Sequence, residues 1–167
     1  MSRTNTDLHI DGFDFLIGSW TVRHRVRRGP LSGSTDWYEF TGVAAAQTLF
    51  DGGASIDEIS LTDGEKGMSV RLREPATRRW TIYWVNSRDG LLQAPVVGAW
   101  VDDVFDGYGE DELAGRAITA HYRWSHITPR SARWEQAFSV DDGRTWETNW
   151  IMDWTRRSTG RERGTAE

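Results

Sequence analysis

An all-β chain that closes on itself as an up-and-down antiparallel barrel of about ten strands is the fold this sequence predicts. Turn signals recur at short intervals, at Gly29-Pro30, Gly52-Gly53, Asp63-Gly64, Pro75, Asp89-Gly90, Asp102-Asp103, Leu113-Ala114-Gly115, Pro129 and Asp142-Gly143. Between them lie segments of about 6–12 residues rich in Trp, Val, Ile, Tyr, Phe and Thr, the pattern of a sandwich or barrel. No segment sustains a helical period. Phe13 to Ile17 suffices for one short helical turn before Gly18, and Ala44-Ala45-Ala46 is too short to nucleate a helix.

In chain order the strands are expected over residues 19–28, 36–47, 54–61, 67–73, 80–87, 96–101, 104–109, 117–125, 131–139 and 146–155. Most connections are short enough for hairpins, so sequence neighbours pair antiparallel. An open sheet of that many twisted strands tends to curl or split. Closure removes both exposed edges and favours a barrel over a sandwich.

A period of two then assigns faces. In the first strand Trp20, Val22, His24 and Val26 point inward, and Thr21, Arg23, Arg25 and Arg27 outward. The fourth is expected to turn Met68, Val70 and Leu72 inward against Ser69, Arg71 and Arg73. The fifth groups Trp80, Ile82, Trp84 and Asn86, and the eighth Ile118, Ala120, Tyr122 and Trp124. In the ninth Ala132, Trp134, Gln136 and Phe138 share the inner face. In the tenth Trp146, Thr148, Trp150, Met152 and Trp154 oppose Glu147, Asn149, Ile151 and Asp153. The second, third, sixth and seventh strands alternate too poorly for a face to be assigned.

The 167 residues fit one domain: a flexible N-terminus over 1–11, a barrel over 12–155, and a charged, glycine-containing tail over 156–167 expected to be disordered. The absence of Cys excludes disulfide scaffolds, thiol catalysis and iron–sulfur ligation. A net charge of -5 argues against general nucleic-acid binding. Arg23, Arg25, Arg27 and Arg28 read as a solvated outer stripe. With no apolar run of membrane length and no apolar stretch at the N-terminus, the expectation is a cytoplasmic protein without membrane contact.

Ten tryptophans must then be placed, and parity puts most of them inside. A barrel of about eight strands is just wide enough to be filled or to hold one small ligand, so a ten-stranded one favours a cavity. His24, Asn86, Gln136 and Thr148 land on otherwise apolar faces, where each needs a partner or serves to orient a ligand. Together with Trp84, Tyr122, Trp124, Trp134 and Trp150 they form the candidate ligand-binding set. Asp57-Glu58 sends one carboxylate to each face of its strand, with Glu39 as a potential neighbour across the wall; a surface pair is the favoured reading. The segment 87–95, with Leu91-Leu92, is either a lid over the mouth or, the favoured reading, an ordinary packed loop. Gly107-Tyr108-Gly109 lacks the rest of a dinucleotide fingerprint, and there is no P-loop, His-Glu-x-x-His pair or Gly-x-Ser-x-Gly elbow.

Several stretches resemble a known family. Phe13-Asp14-Phe15-Leu16-Ile17-Gly18-Ser19-Trp20 is similar to the opening of calycin-type barrels, a helical turn leading to Gly-x-Trp. Glu74-Pro75-Ala76-Thr77-Arg78-Arg79-Trp80, Ile82-Tyr83-Trp84, Pro95-Val96-Val97-Gly98, the run from Ile127 to Ser139, and Trp146-Glu147-Thr148-Asn149-Trp150 together resemble an uncharacterised bacterial family with a calycin-like domain. That family is related in shape to lipocalins, fatty-acid-binding proteins and nitrobindin. The resemblance spans Phe13 to Thr155, implies a ligand-binding barrel, and brings no catalytic residues. A nitrobindin-like haem needs an inward His, and only His24 has that parity, so no cofactor is expected. The leading expectation is a barrel that binds a small apolar or aromatic molecule. The alternative is an isomerase, cyclase or hydrolase in which His24 or a buried carboxylate moves a proton. A homodimeric structural module is the third reading.

Overall fold

The computed structural model describes residues 9–158. Ten antiparallel strands form a closed barrel in which each strand pairs with its sequence neighbours and the last returns to the first. They are β1 (Gly18–Arg27), β2 (Trp37–Leu49), β3 (Ala54–Ser60), β4 (Lys66–Arg73), β5 (Trp80–Asn86), β6 (Val96–Val101), β7 (Val104–Leu113), β8 (Arg116–Ser125), β9 (Ser131–Ser139) and β10 (Glu147–Arg156). The turn chemistry explains the meander. Asp102-Asp103 and Ala114-Gly115 are two-residue connections with positive φ at both positions, the geometry whose twist matches that of the flanking strands.

One end of the barrel is sealed. The 3-10 turn Asp14–Leu16 sits across it with Phe13 and Leu16 fully buried. Phe13 meets Trp80 edge-on at 4.9 Å and Phe105 at 5.5 Å. Trp20 pins the turn by donating its indole N–H to the Leu16 carbonyl at 2.8 Å. β10 runs to Arg156, whose guanidinium donates to the carbonyls of Ile17 (2.5 Å), Phe15 (2.7 Å) and Pro129 (2.9 Å) and lies 4.2 Å over the Trp20 ring. At the other terminus Ile10 is buried and its N–H donates to Asp103 at 2.7 Å. Most of the two terminal segments expected to be flexible, over 1–8 and 159–167, lies outside the described residues.

The faces of β1, β5, β8 and β9 follow the expected parity. The arginine stripe of β1 is indeed external: Arg23 pairs with Glu39 at 2.8 Å and Arg25 with Asp153 at 3.3 Å. Two strands depart from it. β4 is inverted, with Met68 and Leu72 41% and 40% exposed, whereas Ser69 and Arg71 are 8% and 2% exposed. The cause lies on β3, whose Ser55, Asp57 and Ile59 are buried. Arg71 bonds the Asp57 carboxylate and donates to Ser55 Oγ at 3.2 Å, and Asp57 accepts the Ser69 backbone N–H at 3.0 Å. These side chains bond one another across the inner face, with the Arg71 Nε left without a hydrogen-bond partner. The cost is that Met68 and Leu72 lie exposed on the outer face.

The second departure is within β10. Its register against β9 shifts between Thr148 and Trp150, so Asn149 is the extra residue of a β-bulge. Trp150, Met152 and Trp154 face inward as expected. Beyond the bulge the parity reverses: Thr148 pairs with the outer residue Ala137, and Trp146 lies outside against Tyr108 and His121, with ring centroids 5.8 and 5.5 Å away. Asn149, expected outside, is buried.

Candidate functional site

Above the plug the interior is hollow, with a cavity of ≈ 180 Å³. Much of its lining is aromatic. Trp150 is the hub, meeting Trp134 at 5.8 Å and 86° and Trp84 at 6.3 Å and 83°. Tyr122 meets Trp134 edge-on at 5.1 Å, and below them Trp124 contacts Trp154 at 5.4 Å. Glycine makes room for this arrangement: a Cβ at Gly67, opposite on β4, would overlap the Trp84 ring.

The cavity reaches solvent beside Gln93 and Asp111, two exposed lining residues. β5 and β6 pair through only three residue pairs, from Trp80 with Gly98 to Ile82 with Val96. Above Ile82 the two strands part. The following loop partly fills the gap, with the Gln93 N–H donating to the Trp84 carbonyl at 3.0 Å and Leu92 bridging to Val85. Leu91 and Leu92 are both exposed, and it is Gln93 of this loop that lines the cavity.

Of the residues singled out by the sequence, Trp84, Tyr122, Trp124, Trp134, Gln136 and Trp150 line this space. The other three are elsewhere. His24 is fully buried behind Trp150, its Nδ1 accepting the Trp150 indole N–H at 3.2 Å and its ring stacked on Phe40 at 4.2 Å. Its Nε2 has no hydrogen-bond partner and faces the Gly42 backbone, where a Cβ would lie 3.5 Å away. Asn86 stands at the rim and caps a turn by accepting the Arg88 N–H at 2.9 Å. Thr148 is carried outside by the bulge. Gln136 donates to Asn149 at 2.8 Å, a partner that the bulge itself supplies.

Sequence reasoning missed Asp57, Ser69, Arg71, Gln93 and Asp111 as lining residues. Asp57–Glu58 is not a surface pair: Asp57 is inside on Arg71, while Glu58 is outside on Lys66 at 2.8 Å. Glu39 is on the outer wall with Arg23. The sequence ends β7 at Gly109 and assigns it no face; the strand continues to Leu113, and the inward side of Phe105, Gly107 and Gly109 carries Asp111 to the inner rim.

Burial sets the protonation states. With no charged partner, His24 is pushed down to about 4 and stays neutral. Burial, aided by the Asp111 carboxylate, pushes the Tyr122 phenol up to about 12. A haem does not fit here, because the only inward histidine is walled off from the cavity by Trp150. Among the described residues no helix is long and apolar enough to cross a membrane, and no cluster of three or more His, Asp or Glu is placed to hold a metal ion. Compared with known proteins, the chain matches no protein-family model and no curated protein.

Proposed function

We propose that the protein binds a compact, apolar or aromatic small molecule inside the barrel, without acting on it chemically. The observation that supports this reading is the cavity itself: indole and phenol rings around ≈ 180 Å³ of space, closed at one end and open at the other. An engineered apolar cavity of about 150 Å³ holds one benzene, so this one suits a ligand of one or two rings. Gln136, Tyr122 and Gln93 offer the few polar contacts that orient a ligand in such pockets.

The enzymatic alternative loses its leading residue. His24, the expected proton carrier, is fully buried and does not line the cavity, and its Nδ1 lone pair is occupied. Asp57 is held by Arg71. Titration of the protein with a panel of one- and two-ring aromatic compounds, followed by tryptophan fluorescence, tests the reading. Saturable quenching or a spectral shift is expected, and it should weaken in Trp134→Leu. A flat response across the whole panel overturns it.

A further inference from the structure

We infer that the occupant is an organic cation, a quaternary or delocalised ammonium group carried on a small ring, and not a carboxylate. The inference rests on the binding reading above and goes further, to the charge of the ligand. Three observations lead there.

The upper wall of the cavity is an aromatic box. Trp134 and Trp84 each stand nearly perpendicular to Trp150, at 86° and 83°, and all three indoles line the same space. The faces of aromatic rings are electronegative, indole most of all, and such boxes attract weakly hydrated cations.

The one cation lining the cavity is already paired with a carboxylate. Its lining residues include one arginine against two aspartates. Arg71 is held at the floor: one Nη is on Asp57, the other on Ser55, its Nε is buried without a hydrogen-bond partner, and its guanidinium lies 5.0 Å over Phe13 and 5.8 Å over Trp124. An anionic ligand would find that charge already neutralised.

Asp111 remains without a basic partner among the described residues, at the open end of the same space. Its field reaches inside, since it is one of the two causes that raise the Tyr122 phenol. A carboxylate would meet that field unfavourably, whereas a cation entering past Asp111 is drawn toward the indole box.

Matched probes test this. Benzyltrimethylammonium and neopentylbenzene have the same shape and differ by one positive charge; phenylacetate supplies the anion. Calorimetric or fluorescence titration should show the cation binding at least tenfold more tightly than its uncharged isostere, about 1.4 kcal/mol, with phenylacetate weakest. Asp111→Asn, at an exposed rim position, should reduce the cation preference about threefold and make it less sensitive to salt. Equal binding of cation and isostere, or a preference for phenylacetate, overturns the cation inference and leaves the binding reading standing. A cation preference that Asp111→Asn leaves unchanged overturns the role given to Asp111. Failure of all three probes, together with a flat response to the aromatic panel, overturns both.

Discussion

Replacing Arg71 with Met leaves the Asp57 carboxylate in the barrel interior with no counter-charge. Both groups are almost wholly buried, at 3% and 2% side-chain exposure. Removing one partner of such a pair costs about 3–5 kcal/mol, because the orphaned charge still bears its desolvation. For a domain of this length, about 2–4 °C of melting temperature goes with each kcal/mol, so Arg71→Met should lower it by roughly 6–20 °C. The double variant Arg71→Met/Asp57→Asn removes the charge while keeping a carbonyl oxygen to accept the Ser69 N–H. It should recover most of the loss, to within about 1–2 kcal/mol of the parent. Urea unfolding with linear extrapolation, checked by calorimetry, measures both. If Arg71→Met lies within about 1 kcal/mol of the parent, the pair is not desolvated and the inverted orientation of β4 is wrong. If the double variant is no better than the single one, the loss arises from packing over Phe13 and Trp124, not from charge.

The neutral His24 makes stability depend on acidity. Above pH 6.5 neither state carries the proton; between 6.5 and about 4 the unfolded chain takes it up and the folded chain does not, so stability falls as pH drops, by roughly 3 kcal/mol in all. His24→Leu should flatten that part of the stability–pH curve, and an unchanged slope would show that another group is responsible. At the alkaline end the sign is reversed. Tyr122 ionises near 10 when unfolded and about 12 when folded, so stability falls between those values by roughly 2–3 kcal/mol; Tyr122→Phe should abolish the loss, and a curve identical to the parent's counts against it. Gly67→Ala drives a methyl into the Trp84 ring and should cost about 1–3 kcal/mol, with a shifted tryptophan emission as the ring moves. An emission spectrum and stability equal to the parent's would mean that Trp84 does not pack over β4.

Where side-chain chemistry alternates cleanly and agrees with its neighbours, the cavity lining is legible in the chain. Trp134 and Gln136, Tyr122 and Trp124, and Trp84 all lie where a period of two puts them, because β5, β8 and β9 run without interruption between their turns. β4 alternates just as cleanly, yet its apolar face is the outer one. Alternation separates two faces but does not say which is inner, and the usual assumption that the apolar face is buried failed where Met68 and Leu72 lie outside. What decided it was a partner on another strand, Asp57, whose own strand showed no clear alternation. Thr148 departs from the expected face for a different reason. One extra residue at Asn149 reverses every side chain beyond it, and no residue type in Trp146-Glu147-Thr148-Asn149-Trp150 announces a bulge.

The sequence alone therefore determined the class of the fold, its strand number and its meander, because turn residues and β-rich segments act locally and need only their chain neighbours. It also determined that most of the tryptophans would be inside. The tertiary structure decided which polar groups joined them. Arg71, Asp57 and Ser55 can enter a low-dielectric interior only together, since each is costly to bury alone. His24 lies outside the cavity lining, with the Trp150 indole N–H on its Nδ1. Such choices depend on pairings among strands brought together by barrel closure, and no single segment contains them.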